Sequence, residues 1–181
     1  MRKFSAGVGV AVVASGLGLA APGPASATSY CGIAWGSLAK ADPDMSQASV
    51  TNVRTGQQAC YDRLVVDLAG KVAGYSVQYV PEVVQDGSGL PVPLLGDADL
   101  KVTVTAPSYD NEGRPTYAPA DATALSNVSG YQTFRQVAYA GSFEGYTTLG
   151  LGVRARLPFR VFTLDGPDGG SRLVVDVAHH W

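Results

Sequence analysis

The chain has 181 residues, a formal net charge of −2, 46% hydrophobic residues and 15% charged residues, enough for one ordinary domain with a buried core. Its 13 Lys+Arg stand against 15 Asp+Glu with no basic run, which argues against nucleic-acid binding and against electrostatic attachment to anionic lipid. Two histidines and two cysteines leave little material for histidine-based hydrolysis or a zinc site.

The chain opens on Met1, Arg2 and Lys3, followed by a small apolar stretch to about Ala21 and then "PGPASA". Ala25-Ser26-Ala27 is an A-x-A site, so residues 1–27 read as a secretory signal cut after Ala27. A membrane anchor is the alternative, disfavoured because the run is short and glycine-rich. Thr28-Ser29-Tyr30 before Cys31 lacks the small apolar pattern of a lipid-attachment box. Cleavage would leave 154 residues and, by removing Arg2 and Lys3, a formal charge of −4. The expected product is secreted or extracytoplasmic, with no membrane insertion after cleavage. Export places Cys31 and Cys60 in an oxidising space, so a mutual disulfide is the default reading. Free thiols or a metal pair are weaker alternatives, the only histidines being His179 and His180. The bridge would tie an N-terminal extension, residues 28–47, to the body of the protein, with Trp35 packed nearby.

Strand signals dominate from there: "ASVTNVRT", "YDRLVVDLAG", "GYSVQYV", "DLKVTVTAP", "YQTFRQVAYAG", "YTTLGLGVRARL", "FRVFTLDG" and "SRLVVDVAH" are rich in β-branched and aromatic residues. "DGSG" at 86–89, "YDNEGRP" at 109–115 and "DGPDGG" at 165–170 supply turn chemistry between them. The best helix candidate is "PADATALSNV", residues 119–128, with proline at its start and alanine-rich filling. The fold class is all-β, a sandwich or barrel, with at most one short helix near 119–128.

"RLVVDL" at 63–68 returns as "RLVVDV" at 172–177. On a strand, Leu64, Val66 and Leu68 share one face and Arg63, Val65 and Asp67 the other. Leu173, Val175 and Val177 divide in the same way from Arg172, Val174 and Asp176. The aliphatic faces are expected in the core. Each copy follows another strand and a turn, Val53 lying eleven residues before Leu64 and Val161 twelve before Leu173. The units therefore read as two related hairpins, an internal pseudo-symmetry. Two arrangements are open. The copies pair directly, antiparallel about Val65 and Val174, so that Arg63 faces Asp176 and Asp67 faces Arg172. Otherwise they lie in opposite sheets, each Arg and Asp serving its own half.

A strand, a turn, then "RLVVDL" resembles the AMIN domain, an exported β-domain attached to cell-wall amidases and pilus secretins. "VRTG…CYDRLVVDLAG", "GYSVQYV", "GSFEGYTTLGLGV" and "PFRVFTLDGPDGGSRLVVDVAHH" look like the AMIN-like domains of exported actinobacterial proteins. The resemblance covers roughly residues 48–180, and the AMIN-like β domain is set at 48–181. It implies a two-sheet β-sandwich, favours the copies in separate sheets, and implies a targeting role through binding cell wall, chiefly peptidoglycan.

No G-x-S-x-G, H-E-x-x-H or C-x-x-C is present, so no catalytic residue, cofactor or metal is expected. His179 and His180 read as surface residues of the tail. Adjacent strand positions point to opposite faces, so the two could not easily join Asp176 on one zinc ion. Asp110 with Glu112, and Asp165 with Asp168, read as turn residues rather than calcium ligands. The segment from Tyr131 to Arg160 is the most suggestive for binding. Aromatic rings stack on sugar faces, and guanidinium forks grip carboxylates such as those of peptide stems. The candidate ligand-binding residues are Tyr131, Glu144, Tyr146, Arg154, Arg156 and Arg160. Arg154 and Arg156 are expected to share a strand face, Glu144 to pair with one of the arginines, and Phe134 and Phe143 to be core. The function expected is that of a non-catalytic binding module for cell-envelope polymer, chiefly peptidoglycan. A protein adaptor that recognises an exported partner through a sheet edge is the alternative.

Overall fold

The structure, a computed structural model, describes residues 30–72 and 74–181; the expected secretory signal lies outside them. Among the described residues nine strands form two antiparallel sheets. They are β1 (Lys40–Asp42), β2 (Ser49–Gln57), β3 (Tyr61–Ala69), β4 (Tyr75–Val80), β5 (Ala98–Val104), β6 (Phe134–Phe143), β7 (Tyr146–Val153), β8 (Phe159–Asp165) and β9 (Ser171–Ala178). One sheet runs β1-β4-β5-β7-β6 and the other β2-β3-β9-β8. The three-residue β1 was not legible as a strand. The described residues contain no α-helix. Residues 119–128 instead run beside edge strand β6, where Leu125 N donates to Val137 O at 2.9 Å and Tyr139 N to Ala122 O at 2.7 Å. A ten-residue segment gains little from helix nucleation, and covering an edge strand satisfies its backbone better.

Strand alternation builds the core. Leu64, Val66, Leu173, Val175 and Val177 from one sheet, with Leu100, Val102, Leu149, Leu151 and Val153 from the other, are fully buried. They join one hydrophobic cluster, the packed layer between the two sheets. Between the core positions of "LGLGV", Gly150 and Gly152 face outward, and the segment around 83–95 lies on them. A Cβ at Gly152 would collide with Leu95 O, and one at Gly150 would approach Leu94 to 3.0 Å. Val83, Val92, Ala138 and Ala140 make a second small core there, and the Asp86 carboxylate takes a Lys101 ion pair at 3.0 Å. The outer face of the five-stranded sheet is thus covered.

The repeated hexapeptides pair with each other. Val65 is the ladder partner of Val174, Arg63 of Asp176 and Asp67 of Arg172, so the arrangement in opposite sheets is excluded. β2 flanks β3 and β8 flanks β9, each copy keeping its own hairpin partner. Cys31 and Cys60 are bonded. That bridge holds the segment before β1 against the start of β3, with the Trp35 ring edge-on to Tyr61 at 5.5 Å.

Tyr79 ties β4 to the turn before β8. Its hydroxyl donates to Leu157 O at 2.9 Å and accepts from Leu157 N at 3.0 Å. Burial pushes the phenol from 10.0 up to about 12, because the phenolate would be desolvated. The raised value means that the stabilisation is complete below pH 10 and is lost as pH rises toward 12. Stability should fall by about 2 kcal/mol over that interval. Denaturation midpoints of the wild type and Tyr79→Phe at pH 8 and pH 11 check this. The variant should start lower, with Leu157 unpaired, and should lose less between the two.

Candidate functional site

The outer face of the four-stranded sheet carries the polar half of both hexapeptides. Asp176 is fully buried there. Arg63 Nε and Nη2 donate to its two oxygens at 2.6 and 2.9 Å. Arg160, from β8, adds Nε at 2.9 Å and Nη2 at 2.8 Å to Oδ2. Asp67 is served in the same manner. Arg54, from β2, forks onto it at 2.7 and 3.0 Å, and Arg172 Nε lies 3.4 Å from Oδ1. Each carboxylate therefore meets one arginine of the facing copy and one of its own hairpin. The hydrogen bonds that Arg63 and Arg54 donate to Asp176 and Asp67 raise the pKa values of both guanidinium groups further, so both stay charged. Four guanidinium groups against two carboxylates leave an excess of positive charge on a chain that is acidic overall.

Aromatic rings frame one end of this face. The Arg160 guanidinium lies over Trp35 at 4.5 Å, Phe162 at 5.0 Å and Tyr61 at 5.5 Å. Arg63 lies over Tyr61 at 5.3 Å and Phe162 at 5.5 Å. The other end opens into a cleft of about 640 Å³ lined by Thr51, Arg54, Asp67, Pro167, Ser171 and Arg172. In it, Arg172 Nε is buried with no hydrogen-bond partner among the described residues.

Of the six residues singled out from sequence, Arg160 belongs to this face. The others are dispersed. Tyr131 stacks on Phe134 at 6.1 Å and its hydroxyl meets Thr55 Oγ1 at 3.2 Å. Arg154 and Arg156 do not share a strand face, because β7 ends at Val153. Arg154 donates to the carbonyls of Gln132 and His179, closing a joint between sheets. Arg156 donates to Ser37 O at 3.1 Å and covers Tyr79 at 5.1 Å. Glu144 sits in the tight β6–β7 turn at φ 49° and forms no ion pair among the described residues. Tyr146 beside it donates to Met45 Sδ at 3.4 Å. This turn and Tyr131 lie at opposite ends of β6, about 30 Å apart. Phe134 is core as expected, but Phe143 is 47% exposed, lying against Gly87 in the loop that caps the outer face.

The tail also departs from expectation. His180 is exposed, but His179 is fully buried. Its Nε2 lies 3.0 Å from Asp62 Oδ1, while Asp62 Oδ2 accepts Thr133 N at 2.6 Å and Phe134 N at 3.0 Å. Neither ring nor carboxylate reaches solvent. His179 Nδ1 has no hydrogen-bond partner among the described residues, so no hydroxyl or thiol is placed for it to activate. The pair is a clasp between sheets. A sequence signal for it existed: Asp62 is in phase with Leu64, Val66 and Leu68, and a carboxylate on a core face requires a buried partner. Among the described residues no three His, Cys, Asp or Glu side chains converge on a metal position.

The family described as "AMIN-like domain" matches residues 48–179. That family comprises non-catalytic modules related to the cell envelope. No curated protein matches the chain.

Proposed function

The chain belongs to the AMIN-like family, whose match spans 132 of its 181 residues, and we propose that it binds cell-envelope polymer, with peptidoglycan as the ligand and the outer face of the four-stranded sheet as the surface that takes it. The arginine excess on that face is the observation that carries this reading. A neutral sheet face would hold each buried or half-buried carboxylate with one cation; this one uses two for each. Peptide stems of the wall are rich in carboxylates, which guanidinium forks recognise by shape as well as charge. The Cys31–Cys60 bridge suits the oxidising side of the membrane.

Sedimentation with purified, insoluble peptidoglycan tests the proposal. The protein should pellet at low salt and progressively less toward about 0.5 M NaCl, where screening length shrinks to a few ångströms. Arg54→Ala with Arg172→Ala should weaken retention about tenfold, a difference of about 1.4 kcal/mol. A protein that stays in the supernatant at low salt, or pellets equally at every salt concentration, would defeat it.

A further inference from the structure

The two carboxylate-centred arginine pairs differ in their aromatic surroundings as well as in burial. Asp67 with Arg54 and Arg172 has no aromatic ring over its guanidinium groups among the described residues, whereas Asp176 with Arg63 and Arg160 is framed by Trp35, Tyr61 and Phe162. Trp35 precedes the family match at residues 48–179. It is nonetheless held firmly: the Cys31–Cys60 bridge lies on one side of it, and on the other Gly36 O accepts Phe159 N at 2.9 Å.

The chemistry of this cluster exceeds a structural need. The Arg63 fork alone matches the charge of Asp176; Arg160 donates further to Oδ2 and brings a second positive charge to the one carboxylate. Nη1 of Arg63 and Nη1 of Arg160 have no hydrogen-bond partner among the described residues, and the two side chains keep 26% and 39% of their surface exposed. A guanidinium lying over a ring presents its N–H edge, not its face, to an incoming group. The acceptor that matches two such edges is a carboxylate. The half-buried indole beside them has Arg160 over its ring at 4.5 Å, and what it leaves exposed is apolar surface of the kind that packs on the C–H face of a pyranose.

We propose that Trp35, Arg63 and Arg160 form a subsite for a carboxylate carried on a sugar ring, with Trp35 as a specificity-determining residue supplied from outside the family domain. This rests on the reading of the face as a wall-binding surface. The test titrates the purified chain, followed by the indole N–H resonance of Trp35, with four probes and a control. The probes are N-acetylmuramate and glucuronate, which carry the carboxylate, and N-acetylglucosamine and glucose, which do not; acetate is a carboxylate without the ring. Both acidic sugars should move the Trp35 resonance and bind at least tenfold tighter than the neutral sugars and acetate. Preference for N-acetylmuramate over glucuronate would assign wall glycan free of its peptide stems as the source, and equal binding a general acidic glycan. Trp35→Ala, followed by the amide resonances of the β9 residues, should lose that margin, and Trp35→Phe should keep part of it. Arg160→Gln should lose it with the indole in place. Binding of acetate equal to that of the acidic sugars, or unchanged binding in Trp35→Ala, would overturn the subsite. If the wild type pellets with peptidoglycan while the acidic sugars do not bind, this inference fails and the wall-binding reading stands. If it does not pellet, the reading itself falls.

Discussion

Replacing Asp62 by Ala should destabilise the protein by about 4–6 kcal/mol, the largest loss expected from any single substitution. The carboxylate is fully buried and has three partners: the backbone N–H groups of Thr133 and Phe134 and the imidazole of His179. Those partners belong to different sheets. Asp62 is on β3 and His179 follows β9 in the four-stranded sheet, whereas Phe134 begins β6 in the five-stranded one. Alanine would leave two backbone donors and one ring nitrogen stranded away from water, each unmet donor costing about 1–3 kcal/mol. His179→Ala should be milder, because both backbone bonds to Asp62 survive. Arg154 would still reach the backbone carbonyl at 179, which any residue supplies. Urea titrations of the two variants beside the wild type check the order. A loss below about 1 kcal/mol for Asp62→Ala would show that this carboxylate is not what joins the sheets.

Much of this fold is local in origin, and that part is legible in the sequence. Alternation in "RLVVDL" and "RLVVDV" assigns the core faces, and Leu64, Val66, Leu173 and Val175 are buried as it requires. The residues also offer the direct pairing of the copies, an Arg and an Asp at opposite ends of each hexapeptide being complementary in the antiparallel register that places Val65 opposite Val174, but they leave it open against copies in opposite sheets, which the resemblance favoured and the ladder excludes. What the residues do not reveal is long-range. Arg54 and Arg160 reach the same two aspartates only because β2 and β8 flank the paired strands, which depends on sheet order. The arginines after β7 look like a binding pair in sequence, yet Arg154 is spent on carbonyls 22 and 25 residues away. A dense aromatic segment, Tyr131 to Tyr146, is one long strand and its turn, so its two ends cannot meet on one surface. The 119–128 segment has helical composition, but the edge of β6 offers its backbone better partners. The candidate face was therefore half visible: its four repeat residues and Arg160 were singled out, but as two unrelated sets.

The two copies of the hexapeptide should not respond equally to loss of their acid. Asp176→Ala should cost about 3–5 kcal/mol and Asp67→Ala no more than about 1 kcal/mol, although each aspartate holds two arginines. Burial decides the difference. The Asp176 side chain is fully buried and its arginines are 26% and 39% exposed, whereas Asp67 is 22% exposed and its closer partner Arg54 is 48% exposed. Removing Asp176 leaves Arg63 and Arg160 facing each other under Trp35, Tyr61 and Phe162, with like charges and no carboxylate between them. Removing Asp67 leaves Arg54 free to turn into water. Salt separates the two in a second way. The Asp67→Ala loss should shrink at about 0.5 M NaCl, where exposed pairs are screened, and the Asp176→Ala loss should persist. Equal losses for the two variants at low salt would mean that the repeat is energetically symmetric and that the aromatic frame contributes nothing to the Asp176 end. Unequal losses in the stated order would identify the second copy as the anchored half of the face, the one whose geometry survives when a ligand carboxylate approaches its arginines.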